Sequence, residues 1–195
     1  MDEYLRETKS FFDSMANKWD NICYHSPDKL KTITTLGNIT ENSKVADVAC
    51  GTGILFHDIL SHSPSELWGI DLSDKMLEEA LKKFSDPRIK LWQGDYNKFD
   101  QKDFDCVFIY SAYPHFPNKA LFAEKTASIL KAGGRFVLAH SESRHEINHR
   151  HSQGAEHVSD ILAKVSKERK YFDEFFNIDI TADTDFIYIL SGTRK

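Results

Sequence analysis

The sequence predicts an α/β fold: a seven-stranded, mostly parallel sheet wound by crossover helices and closed by an antiparallel hairpin. Three observations predict it. From residue 44 onward, short apolar runs alternate with segments of helical period. The run at 105–110 (DCVFIY) is continuous enough for a strand buried on both faces. The last two strand-like runs are joined only by the turn-prone Ala182-Asp183-Thr184-Asp185, a link too short for a crossover helix, so they should pair antiparallel.

Taken in order, residues 3–19 read as a helix, with Phe12, Met15 and Trp19 at helical spacing. A weaker helix is expected over 28–39. Residues 44–50 form a short apolar strand, followed by the turn Gly51-Thr52-Gly53 and a helix over 54–60. Strands at 66–72 and 89–94 flank a helix over 74–84, whose stripe is Met76, Leu77, Ala80, Leu81 and Phe84. After the 105–110 strand, a helix over 120–131 is expected to stop at Gly133-Gly134. A strand follows at 135–140. A helix is expected over 157–165, because Val158, Ile161, Leu162 and Val165 fall at i, i+3, i+4 and i+7. Strands around 175–180 and 186–190 end the chain.

The 195 residues suffice for one α/β domain, and no repeat or linker divides them. The expected organisation is one domain over 1–195, with a helical N-terminal lid over 1–40 and a core over 41–195. The net charge of −5 argues against a bulk nucleic-acid binder. The charged start MDEYLRETKS lacks the apolar core of a signal peptide, and no run approaches the roughly 20 apolar residues of a membrane helix. Cys23, Cys50 and Cys106 are odd in number and form no CxxC, so a reducing cytoplasm is the expected compartment.

The sharpest motif is Val45-Ala46-Asp47-Val48-Ala49-Cys50-Gly51-Thr52-Gly53, a buried strand running into a glycine turn and then a helix. Glycines let backbone approach a ligand closely, and free N–H groups at a helix start favour a carboxylate or phosphate. Asp71 follows Gly51 by twenty residues, at the end of the next strand, where a carboxylate suits the two hydroxyls of a ribose. The dinucleotide fingerprint needs a third glycine where this chain has Phe56, and no Gly-Lys-Ser/Thr of a P-loop is present.

These residues resemble the first motif of class I S-adenosylmethionine-dependent methyltransferases, in which an acidic residue (here Asp47) precedes the Gly-x-Gly turn. The resemblance runs over roughly residues 10–195. The segment 69–77 (GIDLSDKML) resembles that family's ribose segment, Gly94-Asp95 its adenine segment, residues 104–110 its fourth strand, and residues 130–138 (LKAGGRFVL) its LKPGG strand entry, with Ala132 where proline is common. FFDSMANKWD (11–20) resembles the lid helix of small-molecule members. The resemblance implies a Rossmann-like three-layer sandwich, S-adenosylmethionine as cofactor, and methyl transfer to a small-molecule acceptor. It implies a cofactor site of Asp47, Gly51, Thr52, Gly53, Asp71, Leu72, Asp95 and Tyr96, with Trp19 and Tyr110 packing nearby.

The acceptor is expected above the C-terminal strand ends. Three segments should converge there: the lid around Trp19, Cys23, Tyr24 and His25; residues 111–116; and residues 140–151. His115, His140 and Tyr113 are the candidate catalytic residues on that side. Nucleic-acid amino-methylating enzymes of this fold carry an Asn/Asp-Pro-Pro-aromatic motif after the fourth strand, and Tyr110-Ser111-Ala112-Tyr113 lacks it.

Four of the nine histidines, His140, His145, His149 and His151, fall in one stretch. Three readings stand open for it. His145-Glu146-Ile147-Asn148-His149 spells H-E-x-x-H, a metal-binding pattern, although its polar flanks do not suit a packed peptidase helix. The histidines alternatively serve a substrate pocket, with Arg144 clamping a carboxylate and Cys23 and His25 as soft ligands for a metal-bearing or thiol substrate. Or the stretch is a solvated surface. Rival functions are accordingly a macromolecule methyltransferase, or a non-catalytic S-adenosylmethionine- or metal-binding protein. No nucleic-acid or membrane partner is expected, and no metal ligand is assigned.

Overall fold

A computed structural model describes residues 2–195. Seven strands form one sheet: β1 (Lys44–Val48), β2 (Glu66–Asp71), β3 (Ile89–Gln93), β4 (Phe104–Tyr110), β5 (Leu130–His140), β6 (Phe176–Asp183) and β7 (Tyr188–Arg194). Their order across the sheet is β3-β2-β1-β4-β5-β7-β6. Strands β1 to β5 run parallel, whereas β7 is antiparallel to both β5 and β6. The Rossmann-like fold expected from the sequence, with its closing hairpin, is therefore the fold observed.

The buried strands put alternate residues into two cores. Ala46, Val107 and Phe136 face one core, shared with α6 (Lys119–Ile129) and α8 (Val165–Phe172). Val45, Phe108 and Val137 face the other, shared with α3 (Pro27–Leu36), α4 (Phe56–Ser61) and α5 (Asp74–Lys83). Helix α5 starts cleanly because the Ser73 hydroxyl accepts the Met76 N–H at 3.0 Å. The chain runs outward from β1 to β3, then crosses back to β4. That reversal opens a crevice beyond the C-terminal ends of β1 and β4.

Helix α1 (Glu3–Met15), a 3₁₀ turn over Ala16–Lys18 and α2 (Trp19–Ile22) cover this crevice. The single helix expected over 3–19 thus breaks after Met15. Polar contacts hold the cover down. Lys9 pairs with Asp74, Ser73 donates to Asp13 at 2.6 Å, Lys83 pairs with Asp20 at 2.6 Å, and the Tyr4 hydroxyl reaches the Val158 carbonyl at 2.8 Å.

Two other expectations need correction. Helix α6 ends at Ile129, before Gly133-Gly134, and Leu130 is already extended. The glycines lie inside β5, where its register with β4 shifts between Phe104 and Cys106. A Cβ on Gly134 would stand 2.9 Å from the Lys131 carbonyl oxygen and 3.0 Å from that of Phe104, so the bulge requires glycine. The helix expected over 157–165 is absent. A 3₁₀ turn covers Glu156–Val158, residues 159–164 are irregular, and α8 starts at Val165. The backbone there bonds to tertiary partners instead of to itself. Leu162 exchanges two hydrogen bonds with the Asn148 side chain (2.8 and 3.0 Å), and Asp160 N–H donates to the Pro114 carbonyl at 2.8 Å. Val158 and Leu162 are buried but Ile161 is 81% exposed, so the apparent helical stripe is not one face.

Candidate functional site

A cavity of about 360 Å³ fills the crevice under the lid. Its floor comes from the strand ends: Asp47, Ala49, Cys50 and Gly51 at the end of β1 and just beyond it, Asp71 and Leu72 at the end of β2, and Tyr110 and Ser111 at the end of β4. Tyr4, Thr8, Phe12, Trp19 and His25 roof it. Ala49 (φ 56°) and Ser111 (φ 53°) hold left-handed backbone at the ends of β1 and β4, conformations costly for residues with a Cβ. Strain of this kind clusters where a fold shapes a binding site.

The two glycines of the turn differ in purpose. Gly51 (φ 55°) opens on space: a Cβ there would meet nothing nearer than the Trp19 indole nitrogen at 3.9 Å. Gly53 (φ 82°) does not line the cavity, and a Cβ there would strike the Phe56 ring at 2.8 Å. Thr52 is also turned away, its hydroxyl donating to Asp20 at 2.5 Å. Neither Gly53 nor Thr52, both expected at the cofactor, lines the cavity; Gly53 packs the turn against Phe56 of α4 and Thr52 ties the lid to it.

The acidic floor is electrostatically unusual. Asp71 is buried, and its two carboxylate oxygens accept the Gly51 and Ser73 N–H groups, each at 2.8 Å. Burial pushes its carboxyl up to about 6, against the pull of those N–H donors. Asp47 is buried too, with one carboxylate oxygen lacking any partner among the described residues. Burial, and then the Asp71 charge, push its carboxyl well above the usual range. Asp95 lines the far end and caps the 3₁₀ turn over Tyr96–Lys98 by accepting the Asn97 N–H at 3.0 Å. Tyr96 also lines the cavity while its buried hydroxyl pairs with Thr126 at 3.2 Å. Asp47, Gly51, Asp71, Leu72, Asp95, Tyr96, Tyr110 and Trp19 are thus brought together around one space.

The candidate catalytic residues separate. His115 lines the cavity, its Nδ1 at 2.7 Å from the Val158 carbonyl and its ring against Phe12. Burial lowers it to about 4, so it is neutral at pH 7. Tyr113 does not reach the cavity. It is fully buried and donates to Glu168 at 2.9 Å, on the α8 side of the sheet. His140 is buried beside Tyr188, also outside the cavity, with neither ring nitrogen bonded among the described residues.

The histidine-rich stretch forms α7 (Arg144–His151), started by the Ser143 side chain accepting the Glu146 N–H at 3.1 Å. His145 and His149 stack on its solvent face, ring centroids 6.4 Å apart, and do not border the cavity. Arg144 pairs with Asp183. Among the described residues no three His, Cys, Asp or Glu side chains are grouped to hold a metal ion. From this stretch two residues approach the site: Ser141 through Tyr110, which donates to it at 2.7 Å, and His151 through His115, ring centroids 5.1 Å apart. Phe116 and Asn118 also line the cavity, and no periodicity or spacing in the sequence signals them.

A family model described as a methyltransferase domain matches residues 45–134, the segment that supplies most of the floor. Over this segment, a little under half of its length, the chain is similar to methyltransferase domains. The sterol 24-C-methyltransferase of Candida albicans is 31% identical over 181 residues, 81% of this chain and 48% of the relative. The demethylmenaquinone methyltransferase of Thermotoga maritima is 28% identical over 133 residues, 65% of this chain and 58% of the relative. The chain spans about half the length of the sterol methyltransferases it matches. Among solved structures, the magnesium protoporphyrin IX methyltransferase of Synechocystis, with bound S-adenosylhomocysteine, superposes with a TM-score of 0.76 at 18% identity, covering 99% of this chain and 100% of that one. A Haloferax volcanii chain solved in complex with the Trm112 methyltransferase activator gives 0.78 at 18% identity, with 97% of each chain covered. At such identities these two likenesses concern the fold. No helix among the described residues is long and apolar enough to cross a membrane.

Proposed function

We propose that this chain transfers the methyl group of S-adenosylmethionine to a small-molecule acceptor. The observation that carries the reading is the buried carboxylate oxygen of Asp47, without a partner among the described residues, in the floor of a cavity at the strand reversal. An orphaned buried carboxylate is costly unless a ligand completes it. The cofactor brings an ammonium group and a sulfonium, both positive. Asp47 suits the ammonium. Each Asp71 oxygen, having taken one N–H, keeps a lone pair for a ribose hydroxyl. Asp95 suits the adenine amino group, between the apolar walls of Leu72 and Phe116. Gly51 leaves the room the ligand needs.

When bound, the cofactor supplies a methyl group on a sulfonium, an electrophile that needs no further activation. The chain's contribution is to exclude water and align an acceptor, worth roughly 7–11 kcal/mol where alignment is good. The enclosed roof of Phe12 and Trp19 suits that task. That relatives are named for sterol and demethylmenaquinone substrates supports a small-molecule acceptor here. The test is calorimetric titration with S-adenosylmethionine and S-adenosylhomocysteine. Micromolar binding that Asp71→Ala weakens by about tenfold or more is expected, the loss of charge-assisted bonds to the hydroxyls. Folded wild-type protein that binds neither compound would end the proposal.

A further inference from the structure

A second cavity, of about 410 Å³, adjoins the first at the lid. Trp19, His25 and Ile54 line both, so these residues stand at the boundary between the two spaces. Cys23, Tyr24 and Lys83 line only the second.

His25 is held at this boundary by a directional chain of hydrogen bonds. The Tyr110 hydroxyl donates its one proton to Ser141 Oγ at 2.7 Å. His25 Nδ1 lies 2.7 Å from the same Tyr110 oxygen. With the Tyr110 proton given to Ser141, that oxygen can only accept from Nδ1, and in this arrangement the ring proton of a neutral His25 sits on Nδ1. Nε2 then carries the lone pair, and it has no partner among the described residues. A second hydrogen-bonded group that fixes a histidine's tautomer and leaves the other nitrogen free is the arrangement of a positioned base.

We propose that His25 is the general base of this methyltransferase, that Tyr110 and Ser141 orient it, and that the acceptor is a hydroxyl or thiol compound entering through the second cavity. The proposal rests on the methyl-transfer reading above. In the step, the acceptor oxygen or sulfur forms a bond to the methyl carbon, and the carbon–sulfonium bond breaks to leave a neutral thioether. The acceptor's proton passes to His25 Nε2, and the imidazolium returns it to water. An acceptor that presents a free lone pair without a proton to lose would have no use for this histidine.

The surroundings suit the role. Burial lowers the His25 pKa. Arg150 lowers it further, while Glu142 and Asp20 raise it. Tyr110 is pushed up by burial, as is Cys23, so both are protonated at pH 7 and neither competes with the His25 imidazole as base. His25 is therefore neutral at pH 7 and competent to accept a proton.

The test uses the full chain and three measurements. Calorimetry with S-adenosylhomocysteine checks the cofactor site alone, and no binding by wild type would sink the underlying methyl-transfer reading. Nitrogen-detected NMR of the imidazoles reads the tautomer without turnover. Nδ1–H with a pKa below 6.5 is expected for His25, and Tyr110→Phe should shift the tautomer mixture toward Nε2–H. An Nε2–H tautomer in wild type overturns the proposal. Turnover with a panel of phenols, aliphatic alcohols and thiols then compares wild type, His25→Asn and the surface control His145→Asn. Asn keeps a donor where Nδ1 stands and removes Nε2. A loss in kcat of about 10²–10⁴-fold, with S-adenosylhomocysteine affinity within about threefold, is expected for His25→Asn alone. Unchanged kcat assigns His25 to holding the lid and overturns the base. Cofactor binding with no methylation of any panel member overturns the acceptor class.

Discussion

Two neighbouring buried carboxyls, Asp47 and Asp71, give the site its chemistry and its pH dependence. Both have raised pKa values, Asp71 to about 6. In the free protein they hold protons at acid pH that a cationic, hydroxyl-bearing ligand needs them to lose. Ligand binding favours the ionised forms, so affinity for S-adenosylmethionine should tighten as pH rises through about 6 and weaken below it. Calorimetry across pH 5–8 reads this, and a flat profile would remove Asp71 from the ribose contact. Asp47→Asn keeps the shape and removes a buried charge, so thermal stability should hold or rise while affinity falls about tenfold to a hundredfold. The glycines separate by the same pair of measurements. Gly51→Val places a side chain in the ligand's space and should abolish binding. Gly53→Ala should cost stability, by about 1–3 kcal/mol, because its Cβ meets the Phe56 ring.

At the scale of elements, the lid is fastened by partly exposed polar contacts, whereas the sheet beneath it is fastened by apolar burial. Asp20 joins the lid to both Thr52 and Lys83. Such contacts contribute about 1 kcal/mol or less each, enough to bias a lid and too little to lock it. Asp20→Ala should leave the unfolding midpoint nearly unchanged yet speed amide exchange in α1 and α2, and cofactor affinity should drop several-fold. Exchange as slow as wild type would mean that Phe12 and Trp19, packed edge to face at 5.6 Å, hold the lid without it. Helix α7 carries the histidine pair outward because its buried contact is Ile147. The two histidines of the H-E-x-x-H spelling stack on that solvent face.

For the whole molecule, the decisive packing lies at the α8 end of the sheet. Phe172 is fully buried and stacks on Phe136, ring centroids 4.8 Å apart. Phe172→Ala should cost about 3–5 kcal/mol in urea unfolding, and because Phe172 packs on Phe122, which lines the cavity, cofactor affinity in the folded fraction should fall by less than for Asp71→Ala. The cores on the two faces also explain how much of the fold was legible. Strand period, turn residues and the spacing from Gly51 to Asp71 are local or near-local, and they specified the sheet, its hairpin and the acidic floor. The 157–165 stretch misled because the same hydrophobic spacing serves an irregular segment whose hydrogen bonds go to Asn148 and Pro114, partners distant in sequence. Tyr113 and His140 misled for a related reason: their positions just beyond β4 and at the end of β5 are legible, but the direction of a side chain there depends on what packs against it. Glu168 takes the Tyr113 hydroxyl, and Tyr188 covers His140. The sequence by itself determined the sheet order's two ingredients, strand alternation and hairpin closure, and the glycine turn with its two acids, because each depends on residues close along the chain. Only the tertiary structure decided which histidines line the cavity and what holds each Nδ1, because the partners are distant in sequence: the Val158 carbonyl for His115, and for His25 the hydroxyl of Tyr110, 85 residues along the chain and itself bonded to Ser141 a further 31 residues on.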